Sequence, residues 1–142
     1  MMSLDNIFGI AGSALNAQTT RMNATASNLA NAGSVAGAEK DAFRGKRAVF
    51  KTILEGQLGA QASTNRGGVR IETLVDDPAP IARMSDPGNP AADKDGYVYL
   101  SNVNEMTEMV EMMAAARSYQ NNVEVINTAR QLTMRTLDII KS

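Results

Sequence analysis

The clearest pattern of apolar and polar positions covers residues 102–142, which contain neither Gly nor Pro. Apolar side chains recur there mostly at spacings of three and four, which is typical of one face of an α-helix. They are Met106, Met109, Val110, Met113, Ala116, Val123, Ile126, Ala129, Leu137 and Ile140. Asn102 followed by Glu105 predicts an N-cap with a capping box. At ~1.5 Å per residue this helix would be about 55–60 Å long, more than a domain of this size buries alone.

A second helical stripe is predicted over residues 3–31, followed by Gly33 as a C-terminal stop. Its apolar face is thin, because alanine stands where a self-sufficient helix would carry Leu or Ile. Its members are Leu4, Ile7, Ala11, Leu15, Gln18, Met22, Ala26 and Leu29. Neither helix has enough apolar surface to be stable alone in water. We therefore expect a hairpin-like pair of terminal helices that neighbouring subunits complete.

The middle of the chain predicts short strands separated by loops. Val69–Val75 alternates apolar and polar residues, as a half-buried strand does. Residues 76–95 contain all four prolines and are expected to form neither a helix nor a central strand. The other expectations are a loop over 33–41, a short strand within 42–54, a flexible loop or hairpin tip over 55–68, and a strand over 97–100.

The predicted fold class is mainly α, with paired, coiled-coil-like terminal helices and a small β-containing middle region. The predicted organisation is an N-terminal helix within 1–33, the middle region over 34–101, and a long C-terminal helix within 102–142.

Composition narrows the classes of function. The formal net charge is −1, so nothing in the charge favours nucleic acid or an acidic membrane surface. The chain has no Cys and no His, which removes thiolate nucleophiles, disulfides, the commonest general base and the commonest metal ligand. No stretch approaches the roughly 20 apolar residues of a membrane span, and the N-terminus lacks the basic region of a cleaved signal peptide. We expect no enzyme activity, no cofactor and no membrane insertion.

Three polar clusters are weighed against structural alternatives. The sequence Asp93-Lys94-Asp95-Gly96 begins like a calcium loop but lacks the later ligands, which favours a turn before a strand. Asp76 and Asp77 form a carboxylate pair, for which a solvated loop is the simpler interpretation. The basic cluster Lys40, Arg44, Lys46 and Arg47 favours a solvated face or a salt bridge between subunits over phosphate binding.

Methionines at 106, 109, 112 and 113 lie at a spacing that suits either an adaptable binding groove or a helical seam. Packing between subunits is favoured over a purely internal core. A self-contained helical module that binds a partner helix in this groove is the alternative function.

Five separated motifs, in order along nearly the whole chain, resemble bacterial flagellar rod and hook proteins. The outer two are Ala26–Asn31 (ASNLAN) and Arg117–Thr128 (RSYQNNVEVINT). The continuation after ASNLAN and the three inner motifs narrow the resemblance to the proximal rod proteins. The inner motifs are Phe43–Phe50, Gly67–Val69, and Asp86–Asp93 with Gly96–Val98.

The resemblance implies a structural subunit of the flagellar basal-body rod. Such a subunit would leave the cytoplasm unfolded through the flagellar type III export apparatus, without cleavage, and polymerise in the periplasm into the drive shaft that carries torque. Its partners would be copies of itself, other rod proteins and the adaptor at the rod base. The residues expected at the assembly interface are Leu15, Met22, Asn28, Leu29, Asn31, Met109, Met113, Tyr119, Gln120, Val123, Ile126 and Asn127.

Overall fold

The structure is a computed structural model that describes residues 4–53 and 67–141. Two helices dominate it, α1 (Leu4–Asn31) and α2 (Glu105–Lys141). Both were predicted from the period of their apolar residues, and both predictions are confirmed. The predicted loop or hairpin tip over 55–68 falls outside the described residues except for Gly67 and Gly68.

The start of α2 differs from the prediction. Asn104, not Asn102, caps the helix, because its Oδ1 accepts a hydrogen bond from the Thr107 backbone N–H at 3.0 Å. The Asn102 side chain instead holds the middle region together. Its Oδ1 accepts from the Gly45 N–H at 2.8 Å, and its Nδ2 donates to the Ala79 carbonyl at 3.0 Å. Because these tertiary contacts occupy the Asn102 side chain, it is not available to cap the helix.

Helix α1 ends at Asn31, just before Gly33, as predicted. Gly33 does not adopt positive φ, however, so the stop is not a left-handed glycine cap. A turn closes the helix end, with the Ser34 N–H and Oγ both donating to the Asn31 carbonyl, at 3.1 and 2.8 Å. Because the Ser34 hydroxyl satisfies this end, a glycine conformation is not required there.

Five strands follow between the helices. They are β1 (Val35–Ala36), β2 (Lys46–Thr52), β3 (Val69–Asp76), β4 (Arg83–Ser85) and β5 (Tyr97–Leu100). One sheet has the order β1-β5-β4, with both pairs antiparallel, and β2 pairs with β3 in a second sheet. The strands expected within 42–54 and over 69–75 and 97–100 are therefore confirmed.

Two predicted loops contain regular structure. The expected loop over 33–41 holds β1 and a 3₁₀ turn over Glu39–Asp41. The proline-rich segment holds β4, which lies at an edge of its sheet, where neighbouring prolines are tolerated. Strands this short carry too little alternation to be detected from sequence.

The turn before β5 is confirmed. The Asp93 carboxylate accepts hydrogen bonds from the backbone N–H groups of Asp95 and Tyr97, each at 2.9 Å. Gly96 adopts φ +79°, which is the left-handed conformation that glycine favours. The calcium-like sequence thus serves as an Asx turn that leads the chain into β5.

The chain divides into two compact units, unit 1 (residues 1–20, 49–73 and 114–142) and unit 2 (residues 21–48 and 74–113). Alanine supplies most of the buried apolar positions in both. In unit 2 these are Ala24, Ala42 and Val98, and in unit 1 they are Ala11, Ala17, Ala115 and Ala129. Over residues 4–53 and 67–141, the largest fully buried side chains are Glu108, Val98 and Asn28. The described part of each unit therefore shows no large apolar core.

Candidate assembly interface

The predicted apolar stripe at the start of α2 faces solvent in unit 2. Its four members are Met106, Met109, Val110 and Met113, with exposed fractions of 73%, 51%, 56% and 64%. We call these four residues the methionine face. Met109 and Met113 of the predicted interface belong to it. Contiguous exposed apolar side chains of this kind mark surfaces that bind another macromolecule.

The opposite side of α2 is buried and polar. Glu108 is only 1% exposed, and its carboxylate accepts from the Asn28 Nδ2 at 2.9 Å and from the Arg47 Nη1 at 2.8 Å. Because the two sides of one helical turn differ in this way, Glu108 fixes the rotation of α2 and thereby directs the methionine face outward.

Asn28 lies at the centre of this network and is fully buried. Besides its bond to Glu108, its Nδ2 donates to the Lys46 carbonyl at 3.0 Å, and its Oδ1 accepts from the Lys46 N–H at 2.7 Å. The amide therefore completes hydrogen bonds at the first residue of β2. The hydrogen-bond partners of Asn28, a residue expected at the assembly interface, lie within the chain.

Arg47 extends the network to the segment that follows β3. Its Nε donates to Asp77 Oδ2 at 3.0 Å, and Asp77 Oδ1 accepts from the Ala79 N–H at 2.9 Å. The Ala79 hydrogen bond and the Arg47 guanidinium lower the pKa of Asp77. Burial lowers the pKa of Arg47, but its hydrogen bond to Asp77 and the charge of Glu108 outweigh this and raise it. We call Asn28, Arg47, Asp77 and Glu108 the polar network.

The basic cluster and the carboxylate pair are therefore partners of each other. Lys46 forms an ion pair with Asp76, and Arg47 forms one with Asp77. Arg44 donates to the Ala79 carbonyl at 3.0 Å. The solvated acidic loop was expected, but Asp76 is the last residue of β3 and Asp77 is half-buried. Lys46 and Arg47 are partly exposed and are paired within the chain. Strands β2 and β3 pair, which brings residues 46–47 beside residues 76–77. These contacts were not predicted, because the two pairs of residues lie far apart in the sequence.

A second ion pair joins the helices in unit 2, between Arg21 of α1 and Glu111 of α2. Asn28 meets Glu108, whereas Arg21, earlier in α1, meets Glu111, later in α2. The two helices therefore run antiparallel through this contact. The remaining predicted residues of α1, namely Leu15, Met22, Leu29 and Asn31, are half-buried.

Unit 1 places the other predicted α2 residues at or near its surface. Gln120, Val123 and Asn127 are exposed, whereas Tyr119 and Ile126 are half-buried. A groove of about 380 Å³ lies beside them, lined mainly by apolar atoms of Ile7, Val125, Ala129 and Leu132. The structure thus does not gather the predicted interface residues into one site. They occupy the methionine face, the surface of unit 1, and half-buried or buried positions on α1.

The polar network was not predicted from the sequence, in which Glu108 is one of several acidic residues near the start of a helix. A helical projection offers a signal, because Glu108, Met112, Ala115, Tyr119 and Asn122 recur at spacings of three and four and are all buried or half-buried. A Glu on that inward side requires a cation or amide as partner, which the half-buried Arg47 and the buried Asn28 supply.

Within residues 4–53 and 67–141, no group of three or more acidic side chains is arranged to hold a metal ion. Over the same ranges, neither helix is apolar enough to cross a membrane.

Comparison with known proteins identifies the class. Residues 8–38 match the family model described as flagella basal body rod protein. Residues 94–139 match a second model, described as flagellar basal body rod FlgEFG protein C-terminal. The two matches cover most of α1 and all but the end of α2, the two elements on which the expected interface lies.

Full-length relatives identify the family within this class. The flagellar basal-body rod protein FlgC of Yersinia enterocolitica is 50% identical over 138 residues, which covers 97% of this chain and 98% of that protein. FlgC of Salmonella typhimurium is 46% identical over the same length and coverage. FlgC of Buchnera aphidicola subsp. Baizongia pistaciae is 36% identical over 142 residues, again with 97% and 98% covered. The chain belongs to the FlgC family and is a structural subunit of the rod in the flagellar basal body.

Proposed function

We propose that the chain polymerises with copies of itself and with other rod proteins into the periplasmic drive shaft that transmits torque, and that the methionine face is one of its subunit contacts. The exposure of Met106, Met109, Val110 and Met113 is the observation that carries this proposal. A rod subunit is used only in an assembly, so an apolar face left open within one chain is the expected place for a neighbour. The neighbour we assign to this face is a second copy of the chain.

The proposed contact is a helical seam. Met109 and Met113 lie one turn apart, so a neighbouring helix would insert between them as in coiled-coil packing. Fully burying one such side chain stabilises a contact by about 1.5–3 kcal/mol. Methionine also adapts to neighbours of different shape, which suits a subunit that contacts both its own copies and other rod proteins.

The two terminal regions, 1–33 and 102–142, are proposed to form the rod core, with residues 34–101 bracing it laterally. The proposed core contact also includes Leu15, Met22, Leu29, Asn31, Tyr119, Gln120, Val123, Ile126 and Asn127. Asn28 acts in this proposal from inside the chain, by holding α1 and α2 in register through Glu108.

We further propose export in unfolded form through the flagellar type III apparatus, without cleavage. The alanine-rich core and the polar character of the buried Asn28 and Glu108 support this, because such a fold costs little to open. Mass spectrometry of the chain from purified basal bodies tests the route. The peptide that precedes Arg21 should be recovered uncleaved, and a shortened N-terminus would contradict this proposal.

Met109→Asp tests the subunit contact. A carboxylate placed in a dry seam loses its water and gains no partner, so we expect loss of rod assembly and of motility. Met109→Leu conserves volume and apolarity and is the matched control, expected to assemble normally. Motility and basal bodies are scored in cells that carry each variant as the sole copy. Normal assembly of Met109→Asp would remove the methionine face from the interface.

The alternative function is a self-contained module that binds one partner helix, and the exposed face of α2 is compatible with it. Sedimentation of the purified chain over a concentration series separates the two. Self-association that Met109→Asp abolishes supports the rod contact. A chain that remains a monomer and binds a partner helix with one-to-one stoichiometry supports the module.

A further inference from the structure

We propose that the methionine face is a site of reversible oxidation, in which a peroxide converts the thioethers of Met106, Met109 and Met113 to sulfoxides and thereby blocks subunit association. The inference rests on the proposed function of this face as a subunit contact. It adds that the contact is sensitive to peroxide, which does not follow from the existence of the contact.

Three exposed methionines lie together on this face. Met106 is the most exposed of the three at 73%, while the neighbouring Met112 is half-buried. Oxidation of methionine follows the access of the oxidant to sulfur. The free subunit therefore presents three accessible sulfur atoms at successive turns of one helix face.

The reaction is a two-electron oxygen transfer. A lone pair of the thioether sulfur attacks one oxygen of hydrogen peroxide, and the O–O bond breaks. The attacked oxygen stays on sulfur, and the other leaves as water after proton transfer. Sulfur is oxidised and peroxide is reduced, and methionine sulfoxide reductases reverse the product.

The sulfoxide oxygen would be poorly accommodated in a seam. The residues one turn from Met109 on α2 are Glu105, Met106, Met112 and Met113, and none of them carries a hydrogen-bond donor. The backbone N–H groups of this helical turn already serve the helix. A polar acceptor buried without a donor weakens a contact, so oxidation acts on this face much as Met109→Asp does.

The test compares the purified full-length chain before and after hydrogen peroxide, with the sulfoxides located by mass spectrometry. Self-association is measured by analytical ultracentrifugation. The matched control is the triple variant Met106→Leu, Met109→Leu and Met113→Leu. It removes the three sulfur atoms, conserves volume and keeps the exposed Met84 and Met134.

We expect peroxide to weaken association of the wild-type chain by at least about tenfold, the effect of one poorly satisfied buried polar group. A methionine sulfoxide reductase should restore association, and the treated triple variant should match its untreated form.

Two results would overturn the inference and leave the proposed function intact, provided that Met109→Asp weakens association. One is unchanged association of a chain carrying all three sulfoxides. The other is a loss of association in the peroxide-treated triple variant equal to that in the treated wild type. If untreated wild type and Met109→Asp associate alike, or if neither associates, the subunit contact fails and the inference fails with it.

Discussion

At the scale of single residues, the distinctive feature is a buried carboxylate. Glu108 is 1% exposed, and removing a carboxylate from water is costly unless it is paired and hydrogen-bonded. Arg47 and Asn28 supply both conditions. A well-packed apolar residue would often be equally stable at such a site. We therefore interpret the polar network as the feature that sets the rotation of α2 about its own axis. One rotation places the Glu108 carboxylate beside Arg47 and Asn28.

Arg47→Met tests this interpretation by leaving Glu108 buried without its cation. We expect a loss of about 3 kcal/mol in the free energy of unfolding, because an uncompensated buried charge remains. Adding Glu108→Gln should recover at least about 1 kcal/mol, since residues in one network do not act additively. Urea denaturation measures each variant.

The control for this cycle is Lys51→Met at the exposed pair between Lys51 and Glu72, whose side chains are 40% and 47% exposed. A surface pair of this kind contributes only about 0–1 kcal/mol. If Arg47→Met costs no more than Lys51→Met, the polar network does not fix the register.

Asp77 gives the network a pH dependence. Its pKa is lowered in the folded chain by the Ala79 hydrogen bond and by Arg47, so the unfolded state binds protons more readily. The stabilisation is therefore complete above the ordinary Asp pKa of about 3.8 and is lost as pH falls through the lower folded value. We expect the urea midpoint of Asp77→Asn to fall less between about pH 5 and pH 2 than that of the wild type. Asp95→Asn, in an exposed turn, should follow the wild type, and equal acid sensitivity in all three would contradict the assignment.

At the scale of elements, long periodic segments were predictable, whereas the shortest strands, β1 and β4, were not. Helices α1 and α2 repeat their apolar residues over several turns, so their existence followed from spacing alone. The edge strand β4 has three residues, and only its pairing with β5 defines it. The choice of Asn104 over Asn102 as the cap depends on contacts that Asn102 makes with Gly45 and Ala79.

The candidate interface likewise has some features that follow from the local sequence and others that depend on tertiary contacts. Its apolar stripe at Met106, Met109 and Met113 was visible in the sequence, because the period is local. The inward Glu108 was not predicted as a structural centre, since its partners Arg47 and Asn28 lie 61 and 80 positions away. Contacts between residues so far apart in the sequence form only when the chain folds, so the local pattern does not reveal them.

Gly96 makes an element-scale prediction for the turn before β5. A Cβ there would stand 3.2 Å from Pro87 Cγ, and φ is +79°. Gly96→Ala should therefore lower the free energy of unfolding by about 1–2 kcal/mol. Gly33→Ala is the matched control, because φ is not positive there and a Cβ would meet no atom within 4 Å. Equal stability of the two variants in urea would rule out the turn as the reason for this glycine.

At the scale of the whole molecule, few large apolar side chains of the described residues are buried and many are exposed. Among these residues Val98 is the largest apolar side chain that is fully buried, whereas Met106, Leu132 and Ile139 are more than half exposed. We expect a chain of this kind to gain most of its apolar burial from neighbours, as the proposed rod contact requires. We accordingly expect the methionine face to become buried when the rod forms.

A single cysteine introduced at position 109 reports this burial, because the chain otherwise contains no cysteine. Cells carrying Met109→Cys as the sole copy provide purified basal bodies, which are treated with a maleimide before and after denaturation. We expect rapid labelling of the free subunit, little labelling in the intact rod, and full labelling once the rod is denatured. This is because the proposed seam shields position 109 only in the assembly. Labelling of Cys at position 109 as rapid in the intact rod as in the free subunit would contradict it.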